Sequence, residues 1–257
     1  MKRALTIAIV VVLLLPVVFA GGCRIGRRWF RAPTQIKPGF VDVENVGVHI
    51  FGARVGPKVI LFDAGMDPAG HPVDALLGAL GASRADVSDL FITHGHPDHI
   101  AAVNLFPAAH IRAGAADATW MAGGDTTDRI AARLVTFFMA LPPSRITDPL
   151  TGIVTVPVGE GKSVSGFPAP GHSPGSYVFL FDGTLITGDV MRWDGQRIIG
   201  PPGPFDAFAE ANRRAVRALG PMLQDRTIDR VCTGHGGCTP GGQGRALFDD
   251  YVAALRR

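Results

Sequence analysis

Three imidazoles and a carboxylate fall within six residues, His94-Gly95-His96-Pro97-Asp98-His99, directly after the apolar run Leu90-Phe91-Ile92. An apolar strand that ends in so dense a set of ionisable groups must deliver them to a place where something satisfies them, because polar side chains crowded together away from water are costly. Neutral imidazole and carboxylate are the nitrogen and oxygen donors that divalent zinc takes, and alternate positions of one loop can face two different cations. A histidine-rich surface loop is the weaker reading of the same run.

Three further groups stand at strand ends or in Gly/Pro-rich turns: Gly171-His172-Ser173-Pro174-Gly175, Thr187-Gly188-Asp189 and Thr233-Gly234-His235-Gly236. Each is weak alone, since a single loop histidine is usually solvated and an Asp after Gly is usually turn chemistry. Together with the first run they shift the balance toward a metal site. Gly171 to Gly175 also matches the Gly-x-Ser-x-Gly elbow of serine hydrolases, with Asp189 and His235 following in the order of a triad. An elbow needs a strand before its serine, a helix after it and an N–H on the next residue. Pro174 has no N–H, Tyr177 to Phe181 reads as strand, and Pro168 and Pro170 are expected to spoil a preceding strand.

Hydrophobic periodicity sets these groups in an alternation of strands and helices. Val41 to Val43, Val46 to Phe51, Val59 to Phe62, Leu90 to Thr93, Ile153 to Val156, Tyr177 to Phe181, Leu185 to Thr187 and Ile228 to Cys232 read as strands. Pro72 to Leu80, His99 to Phe106, Asp117 to Met121, Arg129 to Leu141, Phe205 to Leu219 and Arg245 to Leu255 read as helices. Between His110 and Thr151 the expectation is a long helical insert. Its Trp120, Phe137, Phe138 and Met139 either pack on the sheet, the favoured reading, or wall an apolar pocket.

The chain carries 25 basic and 22 acidic residues, and 47% of it is apolar, enough for one sizeable core. Six of the basic residues, Lys2, Arg3, Arg24, Arg27, Arg28 and Arg31, lie in residues 1–31, which hold no acid, so the remainder carries about −3. Such a body lacks the basic groove that would track a nucleic acid. Lys2-Arg3, the apolar run Ala4 to Ala20 and Gly21-Gly22-Cys23 read as a leader, residues 1–23, and three fates stay open for it. These are lipoprotein attachment at Cys23, an uncleaved membrane anchor and cleaved export to a periplasmic space. Residues 24–38 read as a tether and 39–257 as the folded domain. Cys232 and Cys238 flank His235. A disulfide and two buried thiols both fit, the thiols slightly better because nothing in the spacing sets the geometry of a bridge.

The motif His-x-His-x-Asp-His followed by His, Asp and His resembles that of the metallo-β-lactamase-fold hydrolases, over nearly the whole body. The resemblance implies an α/β fold, a four-layered αββα sandwich, with the metals at one edge between its two sheets. It implies that His94, His96 and His172 hold one zinc ion, that Asp98, His99 and His235 hold a second, and that Asp189 bridges them, with iron or manganese as possible replacements. Leu61-Phe62-Asp63-Ala64-Gly65 is similar to the family's early Asp-x-Gly, whose Asp supports the metal loop. Two cations flanking a water lower its pKa toward neutrality, so the implied nucleophile is a metal-bound hydroxide, with Asp98 the catalytic group that orients it and relays its proton.

Within the family, true metallo-β-lactamases lack the bridging Asp, whereas glyoxalase II-like and N-acyl homoserine lactone lactonase-like enzymes keep it. Asp189 therefore implies a small-molecule ester, thioester or lactone as substrate. Ser176 and Tyr177 stand where glyoxalase II-like proteins often carry a second His, which argues against a glutathione thioester. The alternatives are a β-lactamase or phosphodiesterase, a mononuclear iron oxygenase of the same fold, and a non-catalytic metal-binding domain.

Overall fold

The computed structural model describes residues 29–124, 141–201 and 209–256. The leader and the helix expected from Arg129 fall outside these residues, apart from Leu141. Among the described residues no helix is long and apolar enough to cross a membrane.

The first sheet has seven strands in sequential order: β1 (Thr34–Lys37), β2 (Phe40–Asn45), β3 (Val48–Val55), β4 (Lys58–Phe62), β5 (Val87–Ile92), β6 (His110–Gly114) and β7 (Asp148–Leu150). Its first four strands are antiparallel neighbours, and β4 to β7 are parallel. Helix α1 (His71–Ala79), the short α2 (Pro97–Ile100) and α3 (Ala118–Met121) are carried on the crossovers between its parallel strands. The second sheet holds β8 (Val154–Gly159), β9 (Lys162–Pro168), β10 (Tyr177–Phe181), β11 (Thr184–Ile186), β14 (Arg230–Thr233) and β15 (Gly237–Cys238), in the order β15-β14-β11-β10-β9-β8. A small pair, β12 (Arg192–Trp193) and β13 (Ile198–Ile199), and two helices, α4 (Ala209–Leu223) and α5 (Gly244–Ala254), complete the described residues.

Period-2 alternation explains the layering. On β4, Val59 and Leu61 turn one way into a core with Leu76 and Leu77 of α1, while Ile60 and Phe62 turn the other way into a core shared with β10. On the second sheet Val178, Leu185 and Val231 face Val216 and Leu219 of α4 and Phe248 of α5. Three apolar cores between four layers make the αββα sandwich. The middle core is aromatic: Phe91 lies 5.5 Å from Phe62 and 5.4 Å edge-on from Phe179. Phe91 thus ties the two sheets together directly below the histidine loop.

Three expectations need correction. The fold reaches into the stretch read as tether, since β1 pairs with β2 and Thr34 lies opposite Asp42; its residues, Thr34-Gln35-Ile36-Lys37, are half-exposed and too polar to announce a strand. The stretch from His110 to Thr151 opens and closes with β6 and β7 instead of being helical throughout; Arg112 disguises β6, its charge taken up by Asp89 at 2.8 Å and Asp148 at 3.1 Å. Finally, Pro168 does not spoil a strand. It is the last residue of β9, opposite Tyr177, at an end where its missing N–H costs little.

Candidate metal centre

Strands β4 and β5 run parallel and end level, Phe62 beside Phe91. Just past β4, Asp63 adopts a left-handed backbone, φ 62°, uncommon outside glycine. That bend turns its buried carboxylate under the next loop. Oδ1 accepts the Thr93 N–H at 2.7 Å, and Oδ2 accepts the Thr93 hydroxyl at 2.8 Å and meets His99 Nδ1 at 2.8 Å. Held by Nδ1, His99 presents Nε2 to the centre of the cluster. Because the Thr93 hydrogen goes to Asp63, His94 Nδ1 is the donor in its 3.1 Å contact with Thr93 Oγ1, which leaves His94 Nε2 as a bare lone pair.

The structure brings the seven ligand-type residues together in the groups expected. His94 Nε2 and His172 Nε2 each lie 2.9 Å from His96 Nδ1, and a single ring nitrogen cannot satisfy both. Asp98, His99 and His235 form a second trio; His235 Nδ1 donates to the Gly47 carbonyl at 2.8 Å and so aims Nε2 inward. Asp189 stands between the trios. Its Oδ2 is 3.6 Å from His172 Nε2 and 3.2 Å from His235 Nε2, and its Oδ1 is 3.4 Å from His99 Nε2. In each trio the ligand atoms lie within 4.8 Å of one another. His99 Nε2 and Asp189 Oδ1 are buried without a hydrogen-bond partner, a costly arrangement that a cation between them would satisfy. The donor set fits divalent cations.

Protonation differs between the trios. Burial pushes His172 down to about 3 and lowers His94 and His96 as well, so these three are neutral. Burial opposes charge on His99 and His235 too, but Asp189, with Asp63 and Asp98, holds His99 well above the usual imidazole range, and Asp189 and Asp98 raise His235 to about 10. Asp98 and Asp189, which burial alone would raise, are held below the carboxylate range by these same imidazoles.

Two glycines allow the loops to close on one another. A Cβ on Gly188 would sit 2.3 Å from Thr93 Oγ1, and one on Gly234 would sit 2.3 Å from Asp189 Oδ1. The Gly234 N–H donates to the Gly188 carbonyl at 2.8 Å within the second sheet, while the Tyr177 N–H donates to the Thr93 carbonyl at 2.8 Å and the His49 N–H to the Gly234 carbonyl at 2.9 Å, two main-chain bonds that join the sheets at the site.

One residue of the site was not singled out from the sequence. Asp117, fully buried, accepts the Gly95 N–H at 2.8 Å, the Gly175 N–H at 2.6 Å and the Ser173 hydroxyl at 2.6 Å. It ties the loop of His94 and His96 to the loop of His172. Its only signal is position: an acid just beyond a strand, the setting of Asp63 and Asp189, visible once β6 is read as a strand. Ser173 is spent on this contact, and β10 rather than a helix follows it, so the elbow geometry is absent. Trp120 stacks on His96, ring centroids 5.4 Å apart and 15° from parallel. Phe137, Phe138 and Met139 lie outside the described residues.

Cys232 and Cys238 form a disulfide, against the preference for free thiols. They are directly opposed residues of the β14–β15 pair, joined by a turn in which Gly236 and Gly237 both have positive φ, and this hairpin pairing is invisible in the six-residue spacing. His235 rides on the turn that the bridge closes.

The profile of the Metallo-beta-lactamase superfamily matches residues 53–235. The chain belongs to this superfamily. It is 28% identical over 192 residues, 70% of its length, to the uncharacterized protein YobT of Bacillus subtilis, of which the match covers 78%. The fold is similar to a metallo-beta-lactamase of Cronobacter sakazakii with an HARLDQ motif, at a TM-score of 0.63 and 22% identity over 91% of this chain and 98% of that one. It is also similar to BJP-1, a subclass B3 metallo-beta-lactamase of Bradyrhizobium japonicum, at 0.64 and 19% over 88% and 91%. Superfamily membership and the clustered donors point to a metal-dependent hydrolase.

Proposed function

We propose that this chain is a dinuclear zinc-dependent hydrolase that cleaves a carboxylic ester, thioester or lactone of a small molecule. The observation that carries the reading is the Asp189 carboxylate, whose oxygens reach imidazoles of both trios at 3.2 to 3.6 Å. Two divalent cations bound there would supply a nucleophile from water near neutral pH and polarise a carbonyl. Asp63 and the Gly47 carbonyl orient His99 and His235. The Asp98 side chain is 28% exposed against 10% for Asp189, which favours Asp98 as the group that takes a proton and passes it to the leaving group. Trp120 over His96 adds an apolar wall suited to an acyl chain.

A second reading, cleavage of a β-lactam amide, is favoured by the similar solved structures, which are metallo-beta-lactamases. At 22% and 19% identity those likenesses carry the fold alone, and Asp189 separates the two readings. The apolar run Ala4 to Ala20 supports membrane attachment, and the Cys232–Cys238 bridge, a bond suited to an oxidising compartment, supports export.

The test is one panel compared by kcat/KM: p-nitrophenyl esters, a homoserine lactone series, a glutathione thioester, a cephalosporin and bis-p-nitrophenyl phosphate, with metal analysis of the same preparation. Two zinc ions per chain and an ester or lactone in the lead are expected. A leading cephalosporin or phosphodiester refutes the substrate class, bound iron with oxygen uptake refutes the hydrolase, and a chain free of metal after growth in replete medium refutes the site.

A further inference from the structure

The described chain begins beside the metal centre. Asn45, the last residue of β2, donates from Nδ2 to the Trp29 carbonyl at 2.8 Å, and the Arg31 N–H donates to the Glu44 carbonyl at 2.9 Å. Asn45 Oδ1 in turn accepts the Met66 N–H at 3.0 Å, in the loop that follows Asp63. Two residues beyond Asn45 is Gly47, whose carbonyl orients His235. The polypeptide therefore enters the fold on the β2–β3 turn, at the rim of the site.

That rim is apolar and exposed. Trp29 is 72% exposed, Phe30 39% and Val46 51%, whereas large apolar side chains elsewhere among the described residues are mostly buried. Exposed aromatic residues gathered on one edge mark an interaction surface. The sequence that leads to them supplies the partner's chemistry: the apolar run Ala4 to Ala20, then Arg24, Arg27, Arg28 and Arg31, with no acid in residues 1–31. The Arg31 side chain remains 81% exposed while touching Glu44 at 3.0 Å. Basic residues beside a membrane anchor are drawn to anionic headgroups, and tryptophan favours the headgroup level.

Leash length narrows the geometry. An extended chain spans at most about 3.5 Å per residue, so Trp29 lies no more than about 20 Å from Cys23 and about 30 Å from Ala20. Had residues 24–38 been a free tether, the body could stand some 50 Å away; the bonds at Trp29 and Arg31 and the pairing of β1 remove that slack. Whether the anchor is the apolar run or a lipid on Cys23, the rim stays within about one bilayer thickness of the membrane.

We propose that Trp29, Phe30 and Val46, with Arg31 beside them, dock on an anionic bilayer surface and hold the metal centre there, so that the apolar part of its substrate is drawn from lipid. The docking rests on the rim and on reading the run Ala4 to Ala20 as a membrane anchor; the substrate clause rests also on the ester reading above.

The experiment uses the full chain reconstituted on vesicles of phosphatidylglycerol and brominated phosphatidylcholine. Trp29 is one of three tryptophans, with Trp120 and Trp193. Bromine is expected to quench the fluorescence, and Trp29→Phe to remove more than about half of that quench while the variant still floats with the vesicles. Wild-type chain that does not float, or a quench equal in wild type and Trp29→Phe, overturns the docking. For the substrate clause, the double variant Trp29→Ser/Phe30→Ser is compared with wild type on a long-chain ester dissolved in the vesicles and on soluble p-nitrophenyl butyrate. At least about a fivefold loss on the vesicle-borne ester with the soluble ester within twofold is expected; equal effects on both overturn delivery from the membrane. Should wild type hydrolyse neither ester, the hydrolase reading and the substrate clause fall together, and the quench still decides the docking.

Discussion

The two trios hold the same number of ligands and are prepared in opposite ways. His94, His96 and His172 are three neutral nitrogens, stripped of protons by burial and fastened through Asp117. Asp98, His99 and His235 form an ion-paired set, imidazolium against carboxylate, fastened through Asp63 and the Gly47 carbonyl. A cation entering the first trio has no proton to displace there, whereas one entering the second must replace the protons of His99 and His235. Each trio thus has its own buttressing carboxylate, and Asp189 is the residue both depend on.

The largest effect is expected from Asp189→Ala, which removes the carboxylate that, among the described residues, the trios share. Turnover should fall on the order of a thousandfold, because several kcal/mol of transition-state charge stabilisation go with a cation pair. Metal analysis should find fewer than two ions, and circular dichroism an intact fold. His96→Ala is the control that damages the first trio alone, and two retained ions with full activity in the Asp189 variant would break the idea that the trios share a bridge.

Next in size is the contrast between the two buttresses. Asp117→Ala leaves the Gly95 and Gly175 N–H groups buried and unpaired, a cost of about 1–3 kcal/mol for each such group. Residues behind metal ligands are typically worth 10- to 100-fold in metal affinity. Equilibrium dialysis against graded zinc should therefore show the tighter binding step weakened by about that factor in Asp117→Ala and the weaker step affected in Asp63→Ala. Identical curves for the two variants would show that the trios are one cooperative unit.

Asp63 and Asp117 also show what was legible in the sequence. Asp63 was found because it follows the apolar run Val59 to Phe62 and opens the Asp63-Ala64-Gly65 run that resembles the family's early Asp-x-Gly, so its setting is local. Asp117 meets Gly95, 22 residues before it, and Ser173 and Gly175, 56 and 58 residues after it, so its role exists only once β5, β6 and β9 have been brought to one edge. The same distinction runs through the fold. Alternating or wholly apolar strands such as Val59 to Phe62 and Tyr177 to Phe181 were read from their own residues, whereas the seven ligand-type side chains were singled out by their settings and grouped only through the family resemblance. Strand β1, strand β6 with Arg112 and the cross-strand Cys232–Cys238 pair were missed because their cause lies in a partner strand.

The smallest effect is expected at Ser173, the residue that a serine-hydrolase elbow would make indispensable. Its hydroxyl is fully buried and donates to Asp117 at 2.6 Å, while the Ser176 hydroxyl, 2.8 Å away, completes the chain. Ser173→Ala takes one of three donors from Asp117 and leaves both N–H contacts, so the loops of His94 and His172 stay joined. A hydrogen bond to a charged group is worth about 1.5–3 kcal/mol, which sets the expected loss in unfolding free energy. Turnover should stay within about threefold of wild type, because nothing in the first trio loses its lone pair. Measured beside Asp117→Ala, the variant separates a support with redundancy from one without. A Ser173→Ala protein that keeps two cations but loses all turnover would return the nucleophile to Gly171-His172-Ser173-Pro174-Gly175 and end the reading of Ser173 as a strut.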